Sequence, residues 1–422
     1  MKILLSRALV YTQGTFREID IAIDKGIVVA MEAGIPDLGF DHIYDFSKHY
    51  IFPGLADVHV HLREPGFSYK ETIATGTMAG ARGGYTALCA MPNLVPPPDC
   101  VEGIELQLKI IRETAKIAVY PYACITGGGT GRGEPVDFKA LSKYAVAFSD
   151  DGKGVQERDL MRRAMISAHE QGAIIAAHCE DESLLNGGYI HDGSYAKLKG
   201  HRGISSESEW RQVERDLELV RETGCDYHVC HVSTAESVEL LRRAKREGLP
   251  VSCETAPHYL ILCDEDLEED GRYKMNPPLR SARDQLALID GIIDGTIDII
   301  ATDHAPHSAD EKGRGLAESA FGIVGLETAL PVLHTELVME GIITMEKLIE
   351  LMCVNPRRRF KLGGGEISIG RPADLTVFKS DYGQIIDPET FESMGRATPF
   401  MGRTAYGCVR MTIANGELVF AV

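Results

Sequence analysis

The sequence lacks the segments that would send a protein into or across a membrane. Its 422 residues contain no run of ~18 uninterrupted apolar residues, the length that a membrane span needs. The first residues, Met1 to Arg7, do not have the basic end, apolar centre and cleavage site of a signal peptide. The ten cysteines are scattered singly, with no CxxC pair, so we expect them to be reduced. We therefore predict a cytoplasmic protein that does not bind membranes.

Basic residues are scarce relative to acidic ones. The chain has 44 Lys and Arg against 62 Asp and Glu, which gives a formal net charge of −18 at pH 7. A field of this sign repels polyanions, so we expect no nucleic acid partner. A small anion could bind only where a local arginine or a helix N-terminus reverses the field. We therefore expect any anionic substrate to lie beside an arginine in a cleft.

The two ends of the chain share a pattern that the middle lacks. Polar and apolar residues alternate in residues 18–23, and the alternation returns in residues 374–378 and 411–414. A period of two is typical of strands with one buried face, and Asn415-Gly416 is a strong hairpin signal. The pattern predicts that residues 1–50 and 363–422 meet and form one small β-sandwich domain.

Residues 51–362 instead contain short apolar runs separated by segments with helical spacing. This order is typical of parallel strands that are joined by helices. The eight runs lie near 51–57, 85–91, 117–125, 145–149, 173–177, 227–230, 250–254 and 297–302. Ser233 to Glu236 has the form of a capping box and predicts one helix start. Eight such units predict an α/β fold, a (β/α)8 TIM barrel that forms the catalytic domain.

Polar residues that directly follow the apolar runs are candidates for the site, because chemistry in a barrel is built at the carboxyl ends of the strands. These residues are His59, His61, Asn93, Asp150, Asp151, His178, His231, Asp303 and His307. His59 and His61 are two apart on an extended strand, so both imidazoles can reach one ion. Four histidines and two aspartates exceed the needs of one tetrahedral ion. They predict a pair of divalent metals, with zinc the best match to nitrogen and oxygen ligands.

Arg63 is the local positive charge that the acidic composition requires. It lies two residues beyond His61 and is expected to point into the same mouth. A guanidinium suits a carboxylate because two parallel hydrogen bonds can form between them. With Asn93 and His307 also at the mouth, we interpret the substrate as a small molecule with a carboxylate. The alternative is a surface arginine that pairs with a nearby acid.

The segment from Thr126 to Gly133 contains a weak match to the GxGxxG pattern of phosphate-binding loops. It lacks the lysine of a P-loop, and no acidic residue stands out at the spacing of a dinucleotide-binding fold. We interpret this segment as a flexible loop.

Three segments of the chain resemble the dihydroorotases of the amidohydrolase superfamily. They are Asp57 to Gly66 (DVHVHLREPG), Met91 to Asn93 (MPN) and Thr302 to His307 (TDHAPH), and the resemblance extends over essentially the whole chain. It implies reversible cyclisation of N-carbamoyl-L-aspartate to L-dihydroorotate, a step of de novo pyrimidine (UMP) biosynthesis. In the hydrolytic direction, hydroxide held by a metal would attack the cyclic amide, and Asp303 would act as the proton shuttle.

The same resemblance implies roles for individual residues. The metal ligands would be His59, His61 and Asp303 for one ion and His178 and His231 for the second. The substrate-binding residues would be Arg63, Asn93, Asn276 and His307, with the backbone near Phe321 and Gly322 as a further contact. Most of the superfamily bridges the two metals with a carboxylated lysine. Here Asp150 and Asp151 stand at that place, as in a bacterial subgroup, and we choose Asp151 as the bridge, with one or two Zn²⁺ per chain.

Two alternative functions are set against this interpretation. Dihydropyrimidinases, hydantoinases and allantoinases share the barrel and the metal ligands, but as a rule they lack this Arg and Asn pair. A non-catalytic dihydroorotase-like scaffold usually loses metal ligands, and here only the lysine is exchanged. We further expect a homo-oligomer, with aspartate transcarbamoylase as a candidate partner.

Overall fold

Seventeen strands and fourteen α-helices are present in the computed structural model, which describes residues 1–422. The strands are β1 (Lys2–Thr12), β2 (Thr15–Asp24), β3 (Ile27–Glu32), β4 (His42–Asp45), β5 (Tyr50–Pro53), β6 (Leu55–Val60), β7 (Tyr85–Ala90), β8 (Ala118–Pro121), β9 (Ile174–Ala177), β10 (Ile190–His191), β11 (Gly203–Ile204), β12 (Asp226–Val229), β13 (Val251–Thr255), β14 (Ile299–Ile300), β15 (Leu375–Ile385), β16 (Thr404–Ala414) and β17 (Glu417–Ala421).

The helices lie almost entirely in the middle of the chain, between the barrel strands and after them. They are α1 (Ile73–Arg82), α2 (Val101–Thr114), α3 (Phe138–Leu141), α4 (Arg158–Glu170), α5 (Ser194–Lys199), α6 (Glu207–Thr223), α7 (Ala235–Arg246), α8 (Pro257–Ile261), α9 (Ala282–Asp294), α10 (Ala309–Lys312), α11 (Gly315–Glu318), α12 (Ala329–Leu333), α13 (Met345–Ile349) and α14 (Asn355–Phe360). No helix combines the length and the apolar character that crossing a membrane requires.

The predicted TIM barrel is confirmed. β6, β7 and β8 pair in parallel, and β9, β12, β13 and β14 form a second parallel series. The fourth strand is reduced to Phe148, which bridges to Ala123 on one side and to Ile175 on the other. The ring closes where the backbone N–H of His61 donates to the carbonyl of His304 at 2.8 Å. The eight apolar runs of the sequence therefore correspond to the eight strand positions of one barrel.

Successive residues of each barrel strand point alternately into the barrel interior and toward the surrounding helices. Both environments are apolar, which explains why the strands appear in the sequence as unbroken apolar runs. Every residue of β6, β7 and β9 is buried. Side chains such as Val58, Cys89 and Ala176 fill the barrel interior, whereas Leu55 and Leu88 belong to the larger core beneath the helices. The polar side chains at the strand ends are thus carried by a rigid support.

The two chain ends build one β-domain, as the alternating pattern predicted. The sheet order is β17-β16-β15-β5-β1-β2-β3, with β4 beside β1. Residues from both ends, including Leu5, Ile21, Leu375 and Ile413, pack into a single buried cluster. The Asn415-Gly416 dipeptide forms the predicted hairpin turn, with φ of 48° and 84°.

One strand boundary differs from the prediction. The apolar run near 51–57 contains two strands, because β5 pairs with β1 and β15 in the end sheet and only β6 enters the barrel. The break falls at Gly54, where an added Cβ would lie 2.2 Å from the side chain of Thr86. The guanidinium of Arg357 donates to the carbonyl of Gly54 at 3.0 Å. The barrel therefore begins at Leu55 rather than at residue 51.

Candidate active site

The candidate residues from eight distant segments converge at the carboxyl end of the barrel. One pocket is lined by His61, Arg63, Asn93, Asp151, His178, His231, Asn276, Asp303 and His307, together with Gly152, Ala305, Phe321 and Gly322. His59 is fully buried, and its Nε2 lies 3.4 Å from Asp151. The structure therefore brings together the candidates that the sequence analysis named, except Asp150, which does not line this pocket.

The carboxylate of Asp151 lies between two pairs of histidines. Its Oδ1 is 3.4 Å from Nε2 of His59, and its Oδ2 is 3.5 Å from Nε2 of His61. On the other side, Oδ1 is 3.7 Å from Nδ1 of His178 and 3.5 Å from Nε2 of His231. Two groups of potential ligands thus share this one carboxylate, and in each group the ligand atoms lie within 4.8 Å of one another.

Asp303 contacts the first histidine pair. Its Oδ1 lies 3.1 Å from Nε2 of His61 and 3.5 Å from Nε2 of His59. Asp303 adopts a positive φ of 48°, and so do His231 at 34° and Arg63 at 61°. Non-glycine residues rarely adopt this conformation, and it persists where the surrounding structure holds the residue in place.

Asp150 and Asp151 point to different surroundings. The carboxylate of Asp150 accepts hydrogen bonds from the backbone N–H groups of Ile125, Thr126 and Gly131 and from the hydroxyl of Thr126. Asp150 therefore tethers the loop 126–133 at Thr126 and Gly131. Its N–H groups at Thr126 and Gly131 already have a carboxylate partner and form no phosphate cradle.

The chemistry of the centre fits a bound cation. Nε2 of His59 and Oδ1 of Asp151 are buried and have no hydrogen-bond partner, a condition that costs ~1–3 kcal/mol per group. Although burial disfavours a charged imidazole, the carboxylates of Asp151, Glu254 and Asp303 raise the pKa of His59 well above its usual value. The site therefore attracts positive charge, and its imidazole and carboxylate donors are those that divalent transition metals prefer.

Glu254 is a site residue that the sequence analysis missed. The Nδ1–H of His59 donates to its Oε1 at 2.6 Å, and the Nε2–H of His228 donates to its Oε2 at 3.1 Å. The backbone N–H of His231 also donates to Oε1 at 3.3 Å. A carboxylate behind a histidine fixes which ring nitrogen is free for a metal. The available signal was its position, since Glu254 is the last residue of the seventh apolar run.

The chain after His231 is held by a second buried acid, Glu209 of α6. Its carboxylate accepts from the backbone N–H groups of Ser233 and Thr234 and from both hydroxyls. The predicted capping box at Ser233 is therefore wrong. The hydroxyl of Ser233 is engaged by Glu209, and Thr234 caps α7 by accepting from the N–H of Ser237.

The side of the pocket that contains Arg63 is cationic. Its Nε donates to the carbonyl of Pro306 at 3.1 Å, and its Nη2 lies 3.3 Å from Nε2 of His307. Burial lowers the pKa of Arg63 to about 10, so the guanidinium stays charged at neutral pH. Asn93 and Asn276 each retain a buried amide oxygen without a partner. The pocket thus offers a charged donor and two free acceptors beside the histidine centre.

Comparison with known proteins identifies the family. Residues 48–237 match the family model described as Dihydro-orotase-like. The chain is 47% identical to the dihydroorotase of Anoxybacillus flavithermus over 98% of its length and 96% of the relative. It is also 47% identical to the dihydroorotase of Listeria innocua over 100% of its length and 99% of the relative.

Solved structures agree on the fold. L-hydantoinase (dihydropyrimidinase) from Arthrobacter aurescens superimposes with a TM-score of 0.89 at 26% identity, covering 99% of this chain and 96% of that one. Dihydropyrimidinase from Brevibacillus agri superimposes with a TM-score of 0.87 at 22% identity, covering 100% and 95%. The near-complete match to curated relatives, joined to the histidine and aspartate centre of the barrel, shows that this chain belongs to the dihydroorotase family.

Proposed function

We propose that this chain catalyses the reversible cyclisation of N-carbamoyl-L-aspartate to L-dihydroorotate at the mouth of the barrel. The observation that carries this proposal is the position of Arg63 in the same pocket as Asp151, His61 and Asp303. A charged guanidinium next to a carboxylate and imidazole centre suits a ring that carries a carboxylate and an amide to be cleaved or formed.

The residues proposed to hold metal are the two groups that share Asp151. His59, His61 and Asp303 would bind one ion, and His178 and His231 would bind the second, with Asp151 as the bridge. We propose zinc, one or two ions per chain, because imidazole nitrogen and carboxylate oxygen are its usual ligands. Such an ion supplies a Lewis acid that polarises a carbonyl group and lowers the pKa of water.

Substrate orientation is assigned to the cationic side of the pocket. Arg63 and His307 would bind the substrate carboxylate. One amide hydrogen of Asn93 is donated to the carbonyl of Asp151 at 2.6 Å, and the second would be donated to the same carboxylate. The free amide oxygen of Asn276 would accept a ring N–H. These contacts exist before the reaction, so they determine substrate binding more than turnover.

Asp303 is proposed to move the proton. Burial alone would raise its pKa, but the neighbouring imidazoles of His59 and His61 lower it, so the carboxylate is ionised at neutral pH. In hydrolysis it would accept a proton from the attacking water and deliver it to the ring nitrogen as the cyclic C–N bond breaks. In ring closure it would accept a proton from that nitrogen as the C–N bond forms and deliver it to the oxygen that leaves as water.

Two assays test this proposal. Protein stripped by a chelator and reloaded with zinc is expected to interconvert dihydroorotate and carbamoyl aspartate, and to prefer them to hydantoin and dihydrouracil. The Asp303→Asn variant is expected to lower kcat by ~10²–10⁴-fold while most metal is retained. Equal turnover of the uncharged rings would favour a dihydropyrimidinase or hydantoinase instead. Near-normal kcat in Asp303→Asn would remove Asp303 from the proton transfer.

Assembly is a separate part of the proposal. From family membership and the resemblance we infer a cytoplasmic homo-oligomer, with aspartate transcarbamoylase as its candidate partner. Light scattering on the purified chain, alone and mixed with the transcarbamoylase, tests both statements. A monomer at micromolar concentration, or no change on mixing, would contradict the corresponding inference.

A further inference from the structure

Lys70 contacts the edge of His307 that faces away from the cleft. Its Nζ lies 3.1 Å from Nδ1 of His307 and 2.8 Å from Oε1 of Glu311. The side chain is only 12% exposed, and the rings of Phe67 and Tyr69 each lie 5.5 Å from the ammonium. An ammonium group can only donate hydrogen bonds. Nδ1 of His307 must therefore be the acceptor, which means that it carries no proton.

The opposite edge of the His307 ring, at Nε2, contacts a hydrogen-bond acceptor. Nε2 of His307 lies 2.7 Å from the carbonyl oxygen of Phe321, which can only accept. Nε2 must therefore carry the hydrogen. Arg63 approaches the same nitrogen at 3.3 Å and, because a guanidinium can only donate, favours an unprotonated Nε2. The contact with the carbonyl oxygen of Phe321 is the shorter of the two and decides the assignment. One tautomer of the neutral ring satisfies both edges.

We propose that Lys70 is a positioning residue that holds His307 in the Nε2–H tautomer, so that the edge of the ring beside Arg63 carries an N–H, which the carbonyl of Phe321 accepts here and which the substrate carboxylate shares when it binds. The inference rests on the proposed function, since it concerns how the carboxylate is recognised. It adds to that function a residue that does not contact the substrate but determines whether Nε2 of His307 is a hydrogen-bond donor or an acceptor.

The competing partner of Nδ1 is Glu311, which explains why a lysine is needed. Oε2 of Glu311 lies 3.6 Å from Nδ1 of His307. Without Lys70, this acceptor would favour a hydrogen on Nδ1, and the lone pair of Nε2 would then face the substrate carboxylate. Burial, together with the charges of Arg63 and Lys70, lowers the pKa of His307 to about 3, so the ring is neutral and its tautomer matters.

The direct test is the ¹⁵N spectrum of the zinc-loaded protein labelled at histidine, with His307 assigned by its loss in His307→Gln. The proposal requires the shift of an unprotonated nitrogen for Nδ1 and of a protonated nitrogen for Nε2. The reverse pattern in the wild-type protein would overturn it. This measurement does not depend on the folding of any Lys70 variant.

Kinetics supply the second test. Lys70→Met is expected to raise KM for dihydroorotate ~10-fold or more while kcat changes much less, because a binding donor becomes an acceptor. Lys70→Arg keeps a cationic donor and should restore most of the binding. Tyr69→Phe removes the 3.4 Å contact from Tyr69 to Glu311 without touching His307 and serves as the matched control with unchanged KM.

The outcomes separate this inference from the proposed function. An inactive wild-type enzyme would contradict the proposed function itself. A fully active wild type combined with unchanged KM in Lys70→Met, or with equal loss in Lys70→Met and Lys70→Arg, would overturn the role of Lys70 alone.

Discussion

Replacing Glu254 by glutamine removes one negative charge behind the proposed metal centre and keeps the shape of the side chain. The amide oxygen can still accept from Nδ1–H of His59 and from the backbone of His231, which share Oε1 in the wild type. The amide nitrogen then faces His228. That ring can exchange its tautomer, because its Nδ1 lies 2.7 Å from the hydroxyl of Ser252, which can accept as well as donate.

The expected loss therefore comes mainly from the charge. A hydrogen bond to a charged acceptor contributes ~1.5–3 kcal/mol and a neutral one ~0.5–1.5 kcal/mol, so the substitution costs roughly 1–1.5 kcal/mol at His59. At about 1.4 kcal/mol per factor of ten, zinc affinity is expected to fall ~10-fold in Glu254→Gln. Glu254→Ala would leave the buried N–H groups of His59 and His228 unpaired, and its loss should approach ~100-fold.

Zinc affinity is measured by competition with a chelator of known affinity, with activity and bound metal followed together. Asp216→Asn is the matched control, since Asp216 is also fully buried but accepts from Tyr227 and Arg215 and contacts no metal candidate. It should lower stability and leave zinc affinity unchanged. Wild-type affinity in Glu254→Gln, or the same loss in the control, would refute the assignment of Glu254 as the residue that orients His59.

Two further predictions concern the substrate pocket and the buried carboxyl group of Glu327. Arg63→Met should raise KM for dihydroorotate ~10–100-fold with little change in kcat, as steady-state kinetics would show, and an unchanged KM would remove Arg63 from the carboxylate site. Burial of Glu327 outweighs the N–H groups of Glu392 and Ser393 and the guanidinium of Arg82, and raises its pKa from 4.5 to about 7. A carboxyl group with a raised folded-state pKa stabilises the fold at low pH and loses that contribution as the pH rises from 4.5 to about 7. Wild-type protein should therefore lose up to about 3 kcal/mol more than Glu327→Gln across this range, and parallel Tm curves for the two proteins would contradict the prediction.

The fold could be predicted from the sequence because its signals are local. Alternation at both chain ends and eight apolar runs between them follow from which faces of each strand are buried, and strand burial is visible residue by residue. The run near 51–57 could not be divided in this way. Both strands in it are apolar, and only the approach of Thr86 and Arg357 to Gly54 separates them.

The sequence predicted which residues form the candidate site, but not which atoms of those residues contact one another. Histidine and aspartate residues after the strands were identified because the carboxyl ends of barrel strands meet at one face. The partner of each polar atom depends on competition between distant groups. Ser233 illustrates this, since its hydroxyl binds Glu209 from another helix instead of capping its own.

The sequence by itself therefore determined the barrel, the β-domain built from both ends and the set of residues at the barrel mouth. These features depend on hydrophobic periodicity and on the order of the strands, and both can be recognised from residues that are close together in the sequence. Only the tertiary structure decided that Asp151 rather than Asp150 faces the histidines, and which nitrogen of His59 and His307 carries a proton. The physical reason is that these states are set by partners far along the chain, such as Glu254, which lies 195 residues from His59 and bonds to it at 2.6 Å.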